Sequence, residues 1–134
     1  MTFYGKSSPE RDIWIVPGSL IDVVDGDTID MTVDLGFSLT KGIRVRLLGV
    51  DTAEVYGVER ESEEYRRGMA HKRFVEEWVA TGIADSETEE YPFDLFIAKD
   101  TGKYGRYLAD VRRLSDDRSL TGDLLAEFGD EVEY

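Results

Sequence analysis

The sequence predicts an α+β domain: a five-stranded β-barrel, one helix inserted after the third strand, and a short helix at the C-terminal end. Three observations predict it. Thr28–Leu35 and Ile43–Leu47 alternate polar and apolar residues, the period-two signature of half-buried strands. Between Ser62 and Thr81 the period lengthens to helical spacing, and two further short apolar runs follow at Phe93–Ile97 and Tyr107–Val111. With 134 residues, 41% of them hydrophobic, the chain makes one domain and can bury a core.

In order along the chain, residues 1–12 read as a loose arm. Ile13–Val16 is a β-type run expected to stop at Pro17-Gly18, and Leu20–Val24 climbs to a tight turn at Asp25-Gly26-Asp27. Thr28–Leu35 returns from that turn. After Gly36 and a polar connection, Ile43–Leu47 sets Arg44 and Arg46 on the face opposite Ile43, Val45 and Leu47. Short turns join these three strands as a meander. Ser62 is the expected N-cap of the helix, with Glu63 and Glu64 suited to its first turn. Its apolar stripe is Tyr65, Met69, Phe74, Val75, Trp78 and Val79, with Gly82 as the expected stop. His71, mid-helix, is expected at the surface or boundary. Asp85–Glu90 reads as a solvated loop, and Asp100–Gly105 as the hairpin loop joining the last two strands. Leu120, Leu124, Leu125 and Phe128 mark the short helix, ended by Gly129. This order closes as an antiparallel barrel of the OB-fold kind, which removes exposed sheet edges.

Composition excludes several classes. Without cysteine there are no disulfides, thiolate metal sites or cysteine nucleophiles. Met1–Lys6 lacks the apolar core of a secretory signal, so a cytoplasmic chain is expected, or one exported in a form this sequence does not display. No apolar run approaches the roughly 20 residues that span a bilayer, so no membrane partner is expected. Twenty-nine acids against sixteen bases leave a net charge of −13. Taken alone, that excess argues against a nucleic-acid partner, because phosphate contacts need a basic face. Either the acids lie away from a locally positive cleft, or the protein works in concentrated salt, where the Debye length falls to about 3 Å at 1 M. Eleven arginines against five lysines favour the second, a halophilic setting.

The candidate chemistry begins at Asp25-Gly26-Asp27-Thr28, by itself a common hairpin turn. Val50-Asp51-Thr52-Ala53-Glu54 ends the third strand, and in a meander that end approaches the turn between the first two. Asp27, Asp51 and Glu54 can then share a small volume, where three carboxylates require protons or a cation. Oxygen ligands suit a hard cation, and flexible coordination favours Ca²⁺ over Mg²⁺. No histidine or cysteine cluster points to zinc. Arg46, and the turn Lys103-Tyr104-Gly105-Arg106, mean little separately.

Together these pieces resemble the staphylococcal nuclease (thermonuclease) family, whose pattern is D-G-D-T, then R-L-L-x-V-D-T-P-E, then a helix, then K-Y-G-R. Here they read Asp25-Gly26-Asp27-Thr28, Arg46-Leu47-Leu48-Gly49-Val50-Asp51-Thr52-Ala53-Glu54, and Lys103-Tyr104-Gly105-Arg106. The resemblance covers roughly Leu20 to Gly129. It implies a Ca²⁺-dependent nuclease acting on DNA and RNA as a monomer, preferring unpaired strands and leaving 3′-phosphate ends. By the same resemblance Asp27 and Asp51 are direct Ca²⁺ ligands, Thr52 adds its backbone carbonyl, and Asp25 holds the metal's water from one layer further out. Glu54 takes the place of the general base or water-orienting carboxylate. Arg46 and Arg106 match the arginines that bind the scissile phosphate, and Lys103 and Tyr104 match residues that contact a neighbouring one. Three departures stand out. Ala53 replaces the pattern's proline, relaxing the backbone of the loop that presents Glu54. Glu59, Glu61, Glu63 and Glu64 occupy a loop that is lysine-rich in the best-known member, and the sequence ends at Tyr134 without the further helix many members carry. The rival readings are a non-catalytic OB module that binds nucleic acid or protein, and a structural Ca²⁺-binding domain. The first is disfavoured because the acids and both arginines are present, the second because it leaves the arginines without a purpose.

Overall fold

The structure, a computed structural model, describes residues 6–7, 13–101 and 106–134, and side chains within 14–98 and 106–134. The alternating runs become strands, and the helical-period segments become helices. The order is β1 (Lys6–Ser7), β2 (Ile13–Asp25), β3 (Thr28–Gly36), β4 (Leu39–Leu47), α1 (Glu63–Asp85), β5 (Phe93–Thr101), β6 (Tyr107–Arg113), α2 (Leu120–Phe128) and a 3₁₀ turn (Gly129–Val132). Five long strands close a barrel in the order β2-β3-β4-β6-β5, with β5 pairing back onto β2. Within the stretch expected to be a loose arm, Lys6 and Ser7 pair with Ile15 and Trp14.

Two expectations about the strands are corrected. The break at Pro17-Gly18 does not occur, and β2 runs through it as one strand of 13 residues. Gly18 is where the strand changes neighbours: Ile13–Gly18 pair with β5, and from Gly18 onward the strand pairs with β3. Among the described residues Pro17 has a strand partner on one side, Asp94, a position that tolerates a residue without an N–H. Nor is the barrel wholly antiparallel. β4 and β6 run parallel, with Val45 opposite Tyr107 and Leu47 opposite Ala109. The long connection through α1 and β5 makes that geometry possible.

The barrel interior takes Ile29, Met31 and Val33 from β3, Ile43, Val45 and Leu47 from β4, Leu95 from β5, and Ala109 and Val111 from β6. Val75, Trp78 and Val79 of α1 and Leu120 and Leu124 of α2 complete this core. Each fully buried large apolar side chain contributes about 1.5–3 kcal/mol. α1 starts as expected, with Ser62 Oγ accepting the Tyr65 amide at 3.1 Å. It does not stop at Gly82, however, but continues to Asp85 and is capped by Ser86. Gly82 is there because a Cβ would stand 2.8 Å from Phe93 Cε1 and 3.0 Å from Arg113 Cδ. The buried face of α1 is Gly68, His71, Val75, Trp78, Val79 and Gly82, so His71 lies inside rather than at the surface. Gly129 does end α2, at φ 58°.

An ionic seam ties α1 to α2. Asp123 accepts Trp78 Nε1–H at 2.9 Å and is gripped by one edge of the Arg118 guanidinium, from Nε at 2.9 Å and Nη2 at 2.7 Å. The Arg118 hydrogen bonds, with smaller help from Trp78, hold the Asp123 carboxyl below its ordinary value of 3.8. A lowered folded-state value gives stability that is complete above the unfolded value and is lost as pH falls through the folded one. Asp123→Asn is therefore expected to lower Tm near neutral pH, with the gap to wild type closing below pH 3.8. Thermal melts of both proteins across that range check it, and a gap independent of pH would count against it. Among the described residues, no helix is long and apolar enough to cross a membrane.

Candidate functional site

The turn from β2 to β3 and the loop leaving β4 meet at one end of the barrel, because β3 lies between their strands. Thr28 stands opposite Arg46 and Asp30 opposite Arg44. The two arginines on this outer face have different fates. Arg44 is committed to Asp30 through a two-pronged contact at 2.8 and 3.0 Å. Arg46 turns toward the β4 exit loop. Its Nη1 donates to the carbonyls of Leu47 (2.9 Å) and Val50 (2.7 Å), while Nη2 lies 3.3 Å from Asp51 Oδ1 and 3.5 Å from Asp27 Oδ2. The guanidinium is thus fixed by backbone and bridges two acids that are distant in sequence.

Asp27 is buried, and its carboxylate is an organising centre. Oδ2 accepts the Thr52 amide at 3.0 Å, Oδ1 accepts the Thr28 hydroxyl at 3.0 Å, and the Asp27 amide donates to Asp25 Oδ1 at 3.1 Å. Burial pushes the Asp25 carboxyl up to about 7, aided by its hydrogen bond with Asp27 and the charge there. Burial acts on Asp27 in the same direction, but hydrogen bonds from Asp25, the Thr52 amide and Thr28, with the Arg46 charge, hold it below the usual range. The two carboxyls are thus pushed in opposite directions, Asp25 toward its protonated form and Asp27 toward its ionised one.

Asp51 and Glu54 are exposed, and with Thr52, Ala53, Glu64, Arg67 and Glu131 they line an open cleft of about 400 Å³. Its rim carries four acids and one arginine, so it attracts cations. Asp27 does not line it but lies behind, joined through Thr52. Arg106 precedes β6, two residues before Leu108, the residue opposite Arg46. Lys103 and Tyr104 lie outside the described residues.

The donor set is hard oxygen, the type Ca²⁺ takes. Thr52 Oγ1 is a buried hydroxyl without a hydrogen-bond partner among the described residues, on the residue that follows Asp51 and gives its amide to Asp27. Among the described residues, no three acids or histidines converge as a ready-made cage. The residues therefore fit the ion in ligand chemistry and charge, through a site that is not assembled beforehand.

Sequence reading missed His71. Its ring is fully buried and bonded at both nitrogens, to the Ala53 amide at 3.1 Å and to Glu131 Oε1 at 2.9 Å. The signal was its place three residues after Gly68 and four before Val75, on the stripe that α1 buries. No family model matches this chain, and no curated protein is detectably similar to it in sequence.

Proposed function

We propose that this chain is a Ca²⁺-dependent nuclease of the staphylococcal nuclease type, built on an OB-fold barrel, that hydrolyses phosphodiester bonds of DNA and RNA. The observation that carries this reading is the setting of Arg46: a guanidinium held by two carbonyls, poised between Asp27 and Asp51 beside the cleft that presents Glu54. A surface arginine serving only solubility would not be tied down on four partners. The motif resemblance is the second support, since Asp25, Asp27, Arg46, Asp51, Thr52 and Glu54 are joined by hydrogen bonds or share the cleft.

A phosphodiester is an anion attacked by water, so negative charge must be met before attack. With a cation taking over Asp27 and Asp51, the Nη2 and Nε N–H groups of Arg46 would be released to meet two phosphate oxygens at once, and Arg106 is the second guanidinium in this reading. Glu54, exposed in the cleft, takes or steers the proton of the attacking water. Ca²⁺, held by Asp27, Asp51 and the Thr52 carbonyl with Asp25 behind, supplies Lewis-acid polarisation when bound. The 5′-oxygen leaves, giving 3′-phosphate ends, and Lys103 and Tyr104 meet a neighbouring phosphate. Unpaired strands are preferred, because the backbone must reach the cleft around a splayed base.

Glu64 lines the cleft, and exposed Glu59, Glu61 and Glu63 lie just before it in sequence, so these charges repel a polyanion at low salt. The Debye length falls from about 10 Å at 0.1 M to about 3 Å at 1 M, so added salt screens that repulsion. The test is cleavage of denatured DNA with Ca²⁺ or EGTA, from ~0.1 M to a few molar salt. Cleavage that requires Ca²⁺ and rises with salt is expected. Folded protein that cleaves at no salt concentration would sink the reading and leave a non-catalytic nucleic-acid or protein binding module.

A further inference from the structure

We infer that His71 is a positioning residue that, with the C-terminal 3₁₀ turn, clamps the backbone presenting Glu54. The inference rests on the nuclease reading for its effect on rate, and on geometry alone for the clamp. Three consecutive amides before Glu54 are each held by a different element. Asp51 N–H donates to the Val132 carbonyl at 2.9 Å, Thr52 N–H to Asp27 Oδ2 at 3.0 Å, and Ala53 N–H to His71 Nδ1 at 3.1 Å. A backbone amide can only donate, so Nδ1 is the bare nitrogen and Nε2–H donates to Glu131 at 2.9 Å. The ring stands edge-on to Phe128, centroids 4.5 Å apart, which fixes its plane. Val50 pairs with Glu133 across an isolated bridge, so the same terminal segment holds the start of the loop directly and its Ala53 end through Glu131 and His71. On the other side α1 comes close because Gly68 has no Cβ, which would stand 2.7 Å from the Glu54 carbonyl and 2.8 Å from that of Ala53.

This arrangement answers the departure at Ala53. Proline at that position has no N–H and needs no acceptor, whereas alanine brings a donor that must be satisfied where the helix packs over it. His71 supplies the acceptor. The loop that alanine would relax is held instead by a hydrogen bond to a buried ring.

The test uses the full chain with His71→Phe, His71→Gln and the double change His71→Phe with Ala53→Pro. It reads the hydrogen exchange of the Ala53 amide, and kcat and KM on denatured DNA. In wild type that amide is expected to be protected. His71→Phe should speed its exchange and lower kcat by about 10- to 100-fold with KM within about twofold, the pattern of a misplaced catalytic group. His71→Gln, whose amide can accept from Ala53 and donate to Glu131, should keep most of the protection and rate even if the phenylalanine variant folds poorly. The double variant, an apolar ring against a residue without an N–H, should recover kcat over His71→Phe. An unprotected Ala53 amide in wild type, or wild-type kcat in folded His71→Phe, would overturn the clamp. Wild type that cleaves nothing would overturn the nuclease reading instead, and the exchange result would still decide the clamp.

Discussion

Arg46→Ala is expected to lower kcat/KM on denatured DNA by at least ~10²-fold, a loss of about 2.7 kcal/mol of transition-state stabilisation. The magnitude follows from Arg46 being one of the two guanidiniums, with Arg106, that the nuclease reading sets on the scissile phosphate. Of the two arginines on this face of β4, Arg44 is spent on Asp30, and the cleft rim is otherwise acidic but for Arg67. The substitution also strips the Leu47 and Val50 carbonyls of a donor and leaves Asp27 and Asp51 without the cation between them. Some loss of Tm will accompany the loss of rate, so the variant must be assayed well below its own melting point. Arg46→Lys separates charge from shape. An ammonium restores one positive charge but cannot hold two carbonyls and present a fork to phosphate together. Recovery of KM without recovery of kcat would place the arginine's contribution in the transition state. Full activity in Arg46→Ala would remove the observation on which the functional reading stands.

The strands were readable because their alternation is real: Ile29, Met31, Val33 and Ile43, Val45, Leu47 are all inward and buried. The breaks were misread where local chemistry is overruled by neighbours. Pro17-Gly18 is a stop by propensity, yet Gly18 is the crossing point at which β2 exchanges one partner strand for another. Gly82 is a helix stop by propensity, yet packing of Phe93 and Arg113 needs a glycine inside the helix. Both are tertiary demands on the smallest residue, and no window of sequence displays them. The site divides in the same way. Asp25, Asp27, Arg46, Asp51 and Glu54 stand out because their residue types and order form a pattern. His71 forms no pattern, since its partners Ala53 and Glu131 come from a loop and a terminal turn that only the fold brings to α1. The parallel pairing of β4 with β6 was hidden for a related reason, as strand direction across a long connection is set by the whole path of the chain.

Asp27→Asn is the second substitution with a large expected effect, and the structure shows why it can remove charge without removing the fold. The Thr52 amide is a fixed donor and needs an acceptor, whereas the Thr28 hydroxyl can rotate. An asparagine oriented with its oxygen toward Thr52 and its NH₂ toward Thr28 keeps the contacts with those two residues and gives up only the longer ion pair to Arg46 and the charge felt by Asp25. Asp27→Ala has no such solution and strands a buried N–H, at about 1–3 kcal/mol. The asparagine variant should therefore melt near wild type while losing at least ~10²-fold in rate, if Asp27 holds Ca²⁺ as proposed. The independent readout is thermal stability against Ca²⁺ concentration. A ligand that binds only the folded state raises stability by RT ln(1 + [L]/Kd), about 2.7 kcal/mol at a hundredfold excess over Kd. Wild type should show that rise, and Asp27→Asn should flatten it. Asp51→Asn, on an exposed side chain, should weaken the response with little change in Tm without Ca²⁺. A rise of equal size in all three proteins would mean that Ca²⁺ binds elsewhere, and the carboxylates around Arg46 would then have to be explained by the fold alone.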